Sequence, residues 1–126
     1  MDNWYDILIK PPLVPPDYIF IIVWSILYIL MATSFVLILA QKDKPKRFAV
    51  TIFVIQFILN IIWSPLFFNL NRIDLAFVDI IFLWFFILIM LFAFYKNSKI
   101  AAFLQIPYFL WVTFAIYLNF GFLLLN

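Results

Sequence analysis

The stretch "DYIFIIVWSILYILMATSFVLILAQ", residues 17–41, has one charged side chain, at its first position, and is otherwise almost entirely apolar. A helix needs about 20 such residues to cross the hydrocarbon core of a bilayer, and this stretch is long enough. Pro15 and Pro16 suit the start of a helix, because the N–H groups that they lack would be unpaired there. Asp17 complements the positive end of the helix dipole. The stretch therefore predicts a transmembrane helix that begins near residue 17.

Three further apolar runs follow the first along the chain. Each run has roughly 22 to 26 residues, enough to span a membrane as a helix. The loops between them are so short that consecutive helices must be antiparallel neighbours. We expect an all-α membrane protein, an up-and-down bundle of four transmembrane helices in a single domain over residues 1–126. The predicted parts are a proline-rich outer loop or lid at 1–16 and helices at about 17–41, 48–70, 74–95 and 100–125.

The composition excludes several classes of function. Hydrophobic residues make up 69% of the chain and charged residues 11%, whereas a soluble domain has roughly half and a quarter. The chain has no Cys, His or Glu, and therefore no thiolate nucleophile, no customary haem or zinc ligand and no neutral-pH general base. We expect no metal site and no ordinary enzyme. Nucleic acid is not an expected partner either, because the basic residues lie in short loops between apolar runs.

The distribution of basic residues predicts an orientation. Lysine and arginine concentrate in two loops, 41–47 and 96–99, and the side of the membrane with more of them is normally cytoplasmic. We expect an integral protein of a bacterial plasma membrane with those loops in the cytoplasm and both termini outside. The residues on the two sides are Lys42, Lys44, Lys46, Arg47, Lys96 and Lys99 against Lys10 and Arg72.

Polar and aromatic residues interrupt the second run on one face. Gln56, Asn60, Trp63, Ser64 and Phe67 recur at spacings of three and four, so they lie on the same side of a helix. An unpaired amide in hydrocarbon costs several kcal/mol, so this face should point into the bundle. Pro65 leaves the carbonyl of Ile61 without its helical partner and should bend the helix. The amides either line a cavity or bond neighbouring helices.

Two other helices carry similar faces. Trp24 and Tyr28 lie one turn apart in the first helix, and most aromatic stripes of this kind are packing. An amide, an indole and a proline together on two helices indicate more, namely a cavity with flat ring walls and a few hydrogen-bonding groups. The matching face of the last helix has Tyr108, Trp111, Ala115, Leu118 and Asn119.

Asp79 is the one acid well inside an apolar run, about 8 Å from the start of the third helix at ~1.5 Å per residue. It has two interpretations. One is a proton or cation site, as intramembrane acids often are. The other is a hydrogen-bond partner for a Trp, a Tyr or backbone groups.

Four motifs, in order and approximate spacing, resemble those of the TspO/MBR family of tryptophan-rich sensory proteins, translocator proteins and peripheral benzodiazepine receptors. They are "WY…KPP…PPDY…VWSILY.LMA", "Q..LN..WSPLFF", "D.AFVD" and "PY..W..FA..LN". The resemblance implies a five-helix membrane fold, here without the family's first helix, and a possible homodimer. It also implies hydrophobic ligands such as porphyrins and haem-like tetrapyrroles, sterols and synthetic drugs. Transport, sensing and light-dependent porphyrin breakdown are the activities proposed for the family.

The resemblance also implies which residues form the site. Asn60 matches the pocket amide, Trp63 its neighbouring aromatic residue, and Trp111 the pocket indole of the last helix. Ala115 and Leu118 match small and aliphatic lining residues. Tyr18 and Leu13 stand where the family has tryptophan. The family's sterol motif has a tyrosine followed by Arg or Lys, whereas this sequence has Phe120 with no basic residue after it. The loop over the pocket corresponds to Trp4, Pro11, Leu13, Pro15 and Pro16.

Three functions remain open from the sequence. The leading one is a membrane-embedded binding, translocator or sensor protein for flat hydrophobic ligands, tetrapyrroles such as protoporphyrin IX or haem above all, with no cofactor required. The second is a small proton-coupled multidrug-type exporter that uses Asp79, and the third is a structural membrane subunit without a ligand. The predicted ligand-binding residues are Tyr18, Trp24, Tyr28, Asn60, Trp63, Phe67, Tyr108, Trp111, Ala115, Leu118 and Asn119.

Overall fold

A computed structural model describes residues 8–126, and those residues form four long helices. All four helices are long and apolar enough to cross a membrane, which confirms the predicted all-α membrane architecture. The second helix continues without a break into a five-residue π-helical turn. The elements are α1 (Asp17–Leu39), α2 (Arg47–Ser64, with the π turn Pro65–Asn69), α3 (Ile73–Asn97) and α4 (Lys99–Leu125).

The helices form an antiparallel bundle in which α4 has a central place. Helix α4 packs against both α1 and α3, and α2 packs mainly against α3. Contact between α1 and α2 is much less extensive, so a seam separates these two helices. One end of the bundle, here called the terminal end, has both the start of the described chain and Asn126, and the other is the lysine-rich end. This arrangement leaves room inside the bundle between α1 and α2.

Pro65 changes the geometry of α2 at the terminal end. Because its ring nitrogen has no hydrogen to donate, the regular α-helical pattern ends at Ser64. The next turn is wider, with Leu70 N donating to Pro65 O at 2.9 Å, the i→i+5 bond of a π helix. Asn71 then adopts a left-handed backbone conformation, with φ of 53°, and ends the segment. The expected disturbance at Pro65 is thus a widened turn, and it places Phe67 in the interior.

The lysine-rich end is held by polar caps. Asn97 O, at the C-terminus of α3, accepts hydrogen bonds from Gln41 Nε2 at 2.5 Å and Lys44 Nζ at 2.7 Å. A cation at that position also complements the negative end of the helix dipole. Ser98 Oγ accepts from Ala101 N at 3.2 Å and caps the start of α4. These bonds close the short loops that the sequence predicts.

At the terminal end, the loop before α1 lies along the second half of α4. Asn126 pairs with both backbone groups of Ile9, accepting from its N at 3.0 Å and donating to its O at 2.9 Å. Tyr117 donates its hydroxyl to Pro12 O at 2.7 Å. Pro11 is buried against Gly121, where a side chain on the glycine would overlap the proline ring. The loop is therefore fixed to α4.

The interior differs between the two halves of the bundle. Toward the lysine-rich end, Phe53 stacks on Phe35 with ring centroids 4.0 Å apart and on Phe94 at 6.2 Å. Ile38, Ile87 and other fully buried aliphatic side chains complete this half. Toward the terminal end the side chains of residues 8–126 do not fill the α1–α2 seam. A cavity therefore occupies this half of the bundle.

Candidate ligand-binding cavity

The cavity has a volume of about 440 Å³ and receives side chains from all four helices. This volume lies within the range of small-molecule sites in proteins, roughly 300 to 1,000 Å³. Most of the lining is apolar or aromatic, with a few amides and hydroxyls. The lining residues are Asp17, Phe20, Ile21, Trp24, Tyr28, Asn60, Trp63, Ser64, Phe67, Phe68, Ile80, Leu83, Trp111, Val112, Ala115, Leu118, Asn119 and Phe122.

Aromatic rings form the walls and hold one another in place. Phe20 of α1 meets Trp111 of α4 edge to face, with centroids 5.6 Å apart. On the opposite wall, Trp63 stacks on Phe67 of the π turn at 5.1 Å. Such ring pairs are worth ~0.5–1.5 kcal/mol beyond the area that they bury, so the wall is preorganised. Flat, rigid walls of this kind suit a flat apolar ligand.

A chain of hydrogen bonds forms the floor of the cavity. Tyr28 donates its hydroxyl to Asn60 Oδ1 at 2.5 Å, and Asn60 Nδ2 donates to the Tyr108 hydroxyl at 2.7 Å. Tyr108 in turn donates to Gln56 Oε1 at 2.8 Å. These hydrogen bonds link α1, α2 and α4, and they fix which end of the Asn60 amide faces each neighbour. Both functional groups of Asn60 therefore have partners within the protein.

A second amide fixes the wall near the π turn. Trp63 Nε1 donates to Asn119 Oδ1 at 2.9 Å, and Asn119 Nδ2 donates to the backbone oxygen of Ile73 at 3.2 Å. Asn119 thereby connects α4 to the indole of α2 and to the first residue of α3. The orientation of the Trp63 ring is set by this bond. Its polar edge is already satisfied, so it presents its ring to the cavity.

Trp111 differs from Trp63 because its indole N–H is buried and has no hydrogen-bond partner in the described part of the chain. The ring lines the cavity, and its contact with Phe20 holds it in place. A buried donor without an acceptor costs ~1–3 kcal/mol. The nitrogen atom itself is buried, so Trp111 presents its ring and not its N–H to the cavity. The cavity thus combines apolar and aromatic walls with few hydrogen-bonding groups.

Comparison with known proteins assigns the chain to a family. The TspO/MBR family model matches residues 1–125. The chain belongs to the TspO/MBR family. It is 42% identical over 125 residues to "Tryptophan-rich protein TspO" of Chlorobaculum tepidum, covering 98% of this chain and 79% of that protein.

Other relatives of this TspO/MBR chain carry different names. "Protein CrtK" of Rhodobacter capsulatus is 34% identical over 125 residues, covering 98% of this chain and 78% of that protein. "Translocator protein" of Ovis aries is 34% identical over 121 residues, covering 94% and 72% respectively. Together with the four apolar helices, these matches make the chain an integral membrane protein of the sensor and translocator family.

The structure brings most of the predicted ligand-binding residues to the cavity, and Tyr108 and Tyr18 are the exceptions. Tyr108 is fully buried in the floor, where it bonds Asn60 and Gln56. Tyr18 is 62% exposed on the outer surface of α1. The predicted residues that line the cavity are Trp24, Tyr28, Asn60, Trp63, Phe67, Trp111, Ala115, Leu118 and Asn119.

The predicted loop residues lie beside the cavity in a separate surface hollow. Pro11, Leu13, Pro15 and Pro16 line this hollow, which shares Asp17 with the cavity. Leu13 is 79% exposed and has a left-handed backbone conformation, with φ of 71°. Trp4, the remaining predicted loop residue, lies outside the described residues. The loop therefore borders the mouth of the cavity.

Sequence reasoning missed several lining residues of this TspO/MBR cavity. Ile80 and Leu83 of α3 line it, and so do Phe20 and Phe122. In helices that are apolar on every side, such residues carry no periodic signal that separates a cavity wall from a lipid-facing surface. Asp17 also lines the cavity, although the sequence pattern indicated only a helix-start role for it.

Asp79 of α3 directly precedes the lining residue Ile80 in the sequence. It is buried, with 8% of its surface exposed. Its Oδ2 has no hydrogen-bond partner among residues 8–126. In the same part of the chain, no three Asp, Glu, His or Cys side chains are grouped so as to hold a metal ion. Asp79 is therefore a buried carboxyl group with unused hydrogen-bonding capacity.

The exposed charges at the terminal end include one ion pair. Arg72 donates to both carboxylate oxygens of Asp74, at 3.1 Å from Nε and 2.9 Å from Nη2. This hydrogen bonding and the attraction to the carboxylate raise the pKa of Arg72 above its ordinary value. Both side chains are more than half exposed, so solvent screens the pair and it contributes little to stability. The main consequence of the ion pair is that the charge of Arg72 is already paired with an acidic side chain.

Proposed function

We propose that this protein binds a flat, hydrophobic small molecule of the tetrapyrrole class in the cavity, as part of a sensing or translocating role in the membrane. The observation that carries the proposal is the set of aromatic rings in the cavity wall, with Trp24 on α1, Trp63 on α2 and Trp111 on α4. A macrocycle would stack between these rings. Asn60 has a supporting role, because its amide orients Tyr28 and Tyr108 in the floor.

The chain contains no His and no Cys, so a haem iron would lack its customary axial ligands here. Recognition should therefore rest on the macrocycle itself. Metal-free protoporphyrin IX is expected to bind about as tightly as haem. A large preference for haem would contradict binding through the macrocycle alone.

The direct test is a titration of the purified protein in lipid nanodiscs with protoporphyrin IX, followed by quenching of tryptophan fluorescence. Trp111→Phe replaces an indole of the wall by a smaller ring, and the lost stacking area should weaken binding roughly fivefold, equivalent to about 1 kcal/mol. Trp84→Phe is the matched control, because Trp84 lies outside the cavity and donates to Thr113 Oγ1 instead. Equal effects of the two substitutions, or no saturable binding, would overturn the proposal.

Asp79 supports a second candidate, a small proton-coupled exporter. A buried carboxyl group with one oxygen unpartnered in the described part of the chain is the kind of group that proton-coupled transporters use. On this hypothesis, Asp79→Asn would abolish pH-driven uptake of a fluorescent cation into vesicles and leave equilibrium binding intact. A third possibility, a structural subunit without a ligand, predicts that Trp111→Phe changes only stability.

A further inference from the structure

The charge that lines the cavity is of one sign. Within residues 8–126, Asp17 is the one charged residue that lines it, and no lysine or arginine of that part of the chain is among the lining residues. Asp17 is exposed at the first position of α1, where the mouth of the cavity meets the hollow beneath the preceding loop. A ligand in the cavity would therefore meet a carboxylate at the mouth and no basic side chain along the described walls.

Other charges nearby do not reverse this imbalance. Arg72 already contacts both oxygens of Asp74. Lys10 lines the neighbouring hollow and not the cavity. Asp79 is buried and does not line the cavity. Among the described residues, Asp17 therefore remains the charged group that a ligand at the mouth would contact.

The aromatic walls favour the same sign of charge. The face of an indole or phenyl ring is electron-rich, so a cation above it is attracted and an anion is repelled. Trp24, Trp63 and Trp111 all line the cavity. An ionised carboxylate in this environment would lose its hydration and find no basic partner, which is costly. A cation would find ring faces and the Asp17 carboxylate.

We propose that the cavity discriminates between ligands by charge, favouring a flat apolar body with an amine or quaternary ammonium group, which lies at the mouth against Asp17. Among tetrapyrroles, it favours neutral or cationic peripheral groups over ionised carboxylates. This inference rests on the proposed function, because it concerns the ligand class of the same cavity. Asp17 is the specificity residue, and the aromatic rings contribute to binding whatever the charge.

The test uses one macrocycle in three charge forms: protoporphyrin IX with its two carboxylates, its dimethyl ester, and its bis-amide with N,N-dimethylethylenediamine. Each is titrated into nanodiscs of zwitterionic lipid containing wild type, Asp17→Asn or Asp17→Lys. Lipid partition of each ligand is the same for every protein form, so the change in affinity ratio between proteins isolates the cavity. Asp43→Asn is the matched control, since Asp43 is an exposed acid in the loop at the lysine-rich end.

Wild type should bind the cationic amide more tightly than the dicarboxylate. Asp17→Asn should reduce that ratio about three- to fivefold, as expected for one exposed charge pair, and Asp17→Lys should reduce it further. The dimethyl ester should bind equally to all four proteins, and Asp43→Asn should leave the ratio unchanged. Raising the salt concentration should shrink the Asp17 effect.

The two proposals fail in different ways. If the ester binds in the cavity but the ratio is the same in wild type and Asp17→Asn, the charge inference is overturned and the proposed function stands. If wild type prefers the dicarboxylate, the inference is also overturned. If none of the three forms binds, the proposed function fails and the inference fails with it.

Discussion

The amide nitrogen of Asn60 lies 2.7 Å from the hydroxyl oxygen of Tyr108, and both side chains are buried. This bond joins α2 to α4 in the middle of the bundle. The same hydroxyl donates to Gln56, so it serves as acceptor and donor at once. Substitutions at this pair therefore test how the polar floor stabilises the fold, separately from any contact with a ligand.

Tyr108→Phe should destabilise the protein by about 1–3 kcal/mol, because Asn60 Nδ2 and Gln56 Oε1, two buried amide atoms, lose the hydroxyl that they bond. The ring and its packing are unchanged. Tyr117→Phe is the control, since its hydroxyl bonds Pro12 at the exposed surface and should matter much less. Unfolding in mixed detergent micelles, followed by circular dichroism, measures both. Equal losses in the two variants would contradict a structural floor.

Gln105→Met should raise stability by about 1 kcal/mol, because it removes a buried amide whose two polar atoms lack partners among residues 8–126. Methionine has nearly the same shape. Gln56→Met is the matched comparison and should lower stability, since Gln56 accepts the bond from Tyr108. The same unfolding experiment compares them. A destabilised Gln105→Met would mean that the amide is satisfied, for instance by a buried water.

Gly121→Ala should displace the loop from α4, because the new Cβ would lie 2.5 Å from Pro11 Cβ and 2.8 Å from its Cγ. Overpacking of this kind costs about 1–3 kcal/mol. Faster proteolysis of the loop and a lower unfolding midpoint are the measurements. Adding Pro11→Gly to Gly121→Ala removes the overlapping atoms. If the double variant is no more stable than the sum of the two single effects predicts, the contact between residue 121 and Pro11 is not the cause of the destabilisation.

Ala115→Leu should weaken protoporphyrin IX binding about tenfold or more, because the larger side chain occupies the cavity. Stability should hardly change, since the added atoms enter existing space. Ala32→Leu is the control, because Ala32 is exposed on α1. Tryptophan quenching gives the affinities. Unchanged binding in Ala115→Leu would place the ligand elsewhere.

The four helices could be predicted from the sequence because the length of an apolar run is a direct consequence of bilayer thickness. Asn60 also stood out, since an amide in hydrocarbon demands a partner. Its actual partners could not be predicted, because Tyr28 and Tyr108 approach it from two other helices. The sequence pattern therefore identified the residue but not whether its amide is free for a ligand.

The shape of the cavity was beyond the sequence for a different reason. Ile80 and Leu83 line it from α3, yet apolar residues on a lipid-facing side look the same in sequence. Pro65 predicted a disturbance in α2. In the structure this disturbance is a π turn in which Phe67 is buried in the interior. Which direction a proline diverts a helix depends on the helices packed around it.

The hydrogen bonds of Asn60 also bear on biogenesis. Tyr28 precedes Asn60 by 32 residues, whereas Tyr108 follows it by 48. Because Tyr28 and Asn60 are both synthesised before Tyr108, Tyr28 is the earlier available partner of the Asn60 amide. An α1–α2 hairpin can therefore enter the bilayer with one amide oxygen already bonded, and the arrival of α4 completes the set.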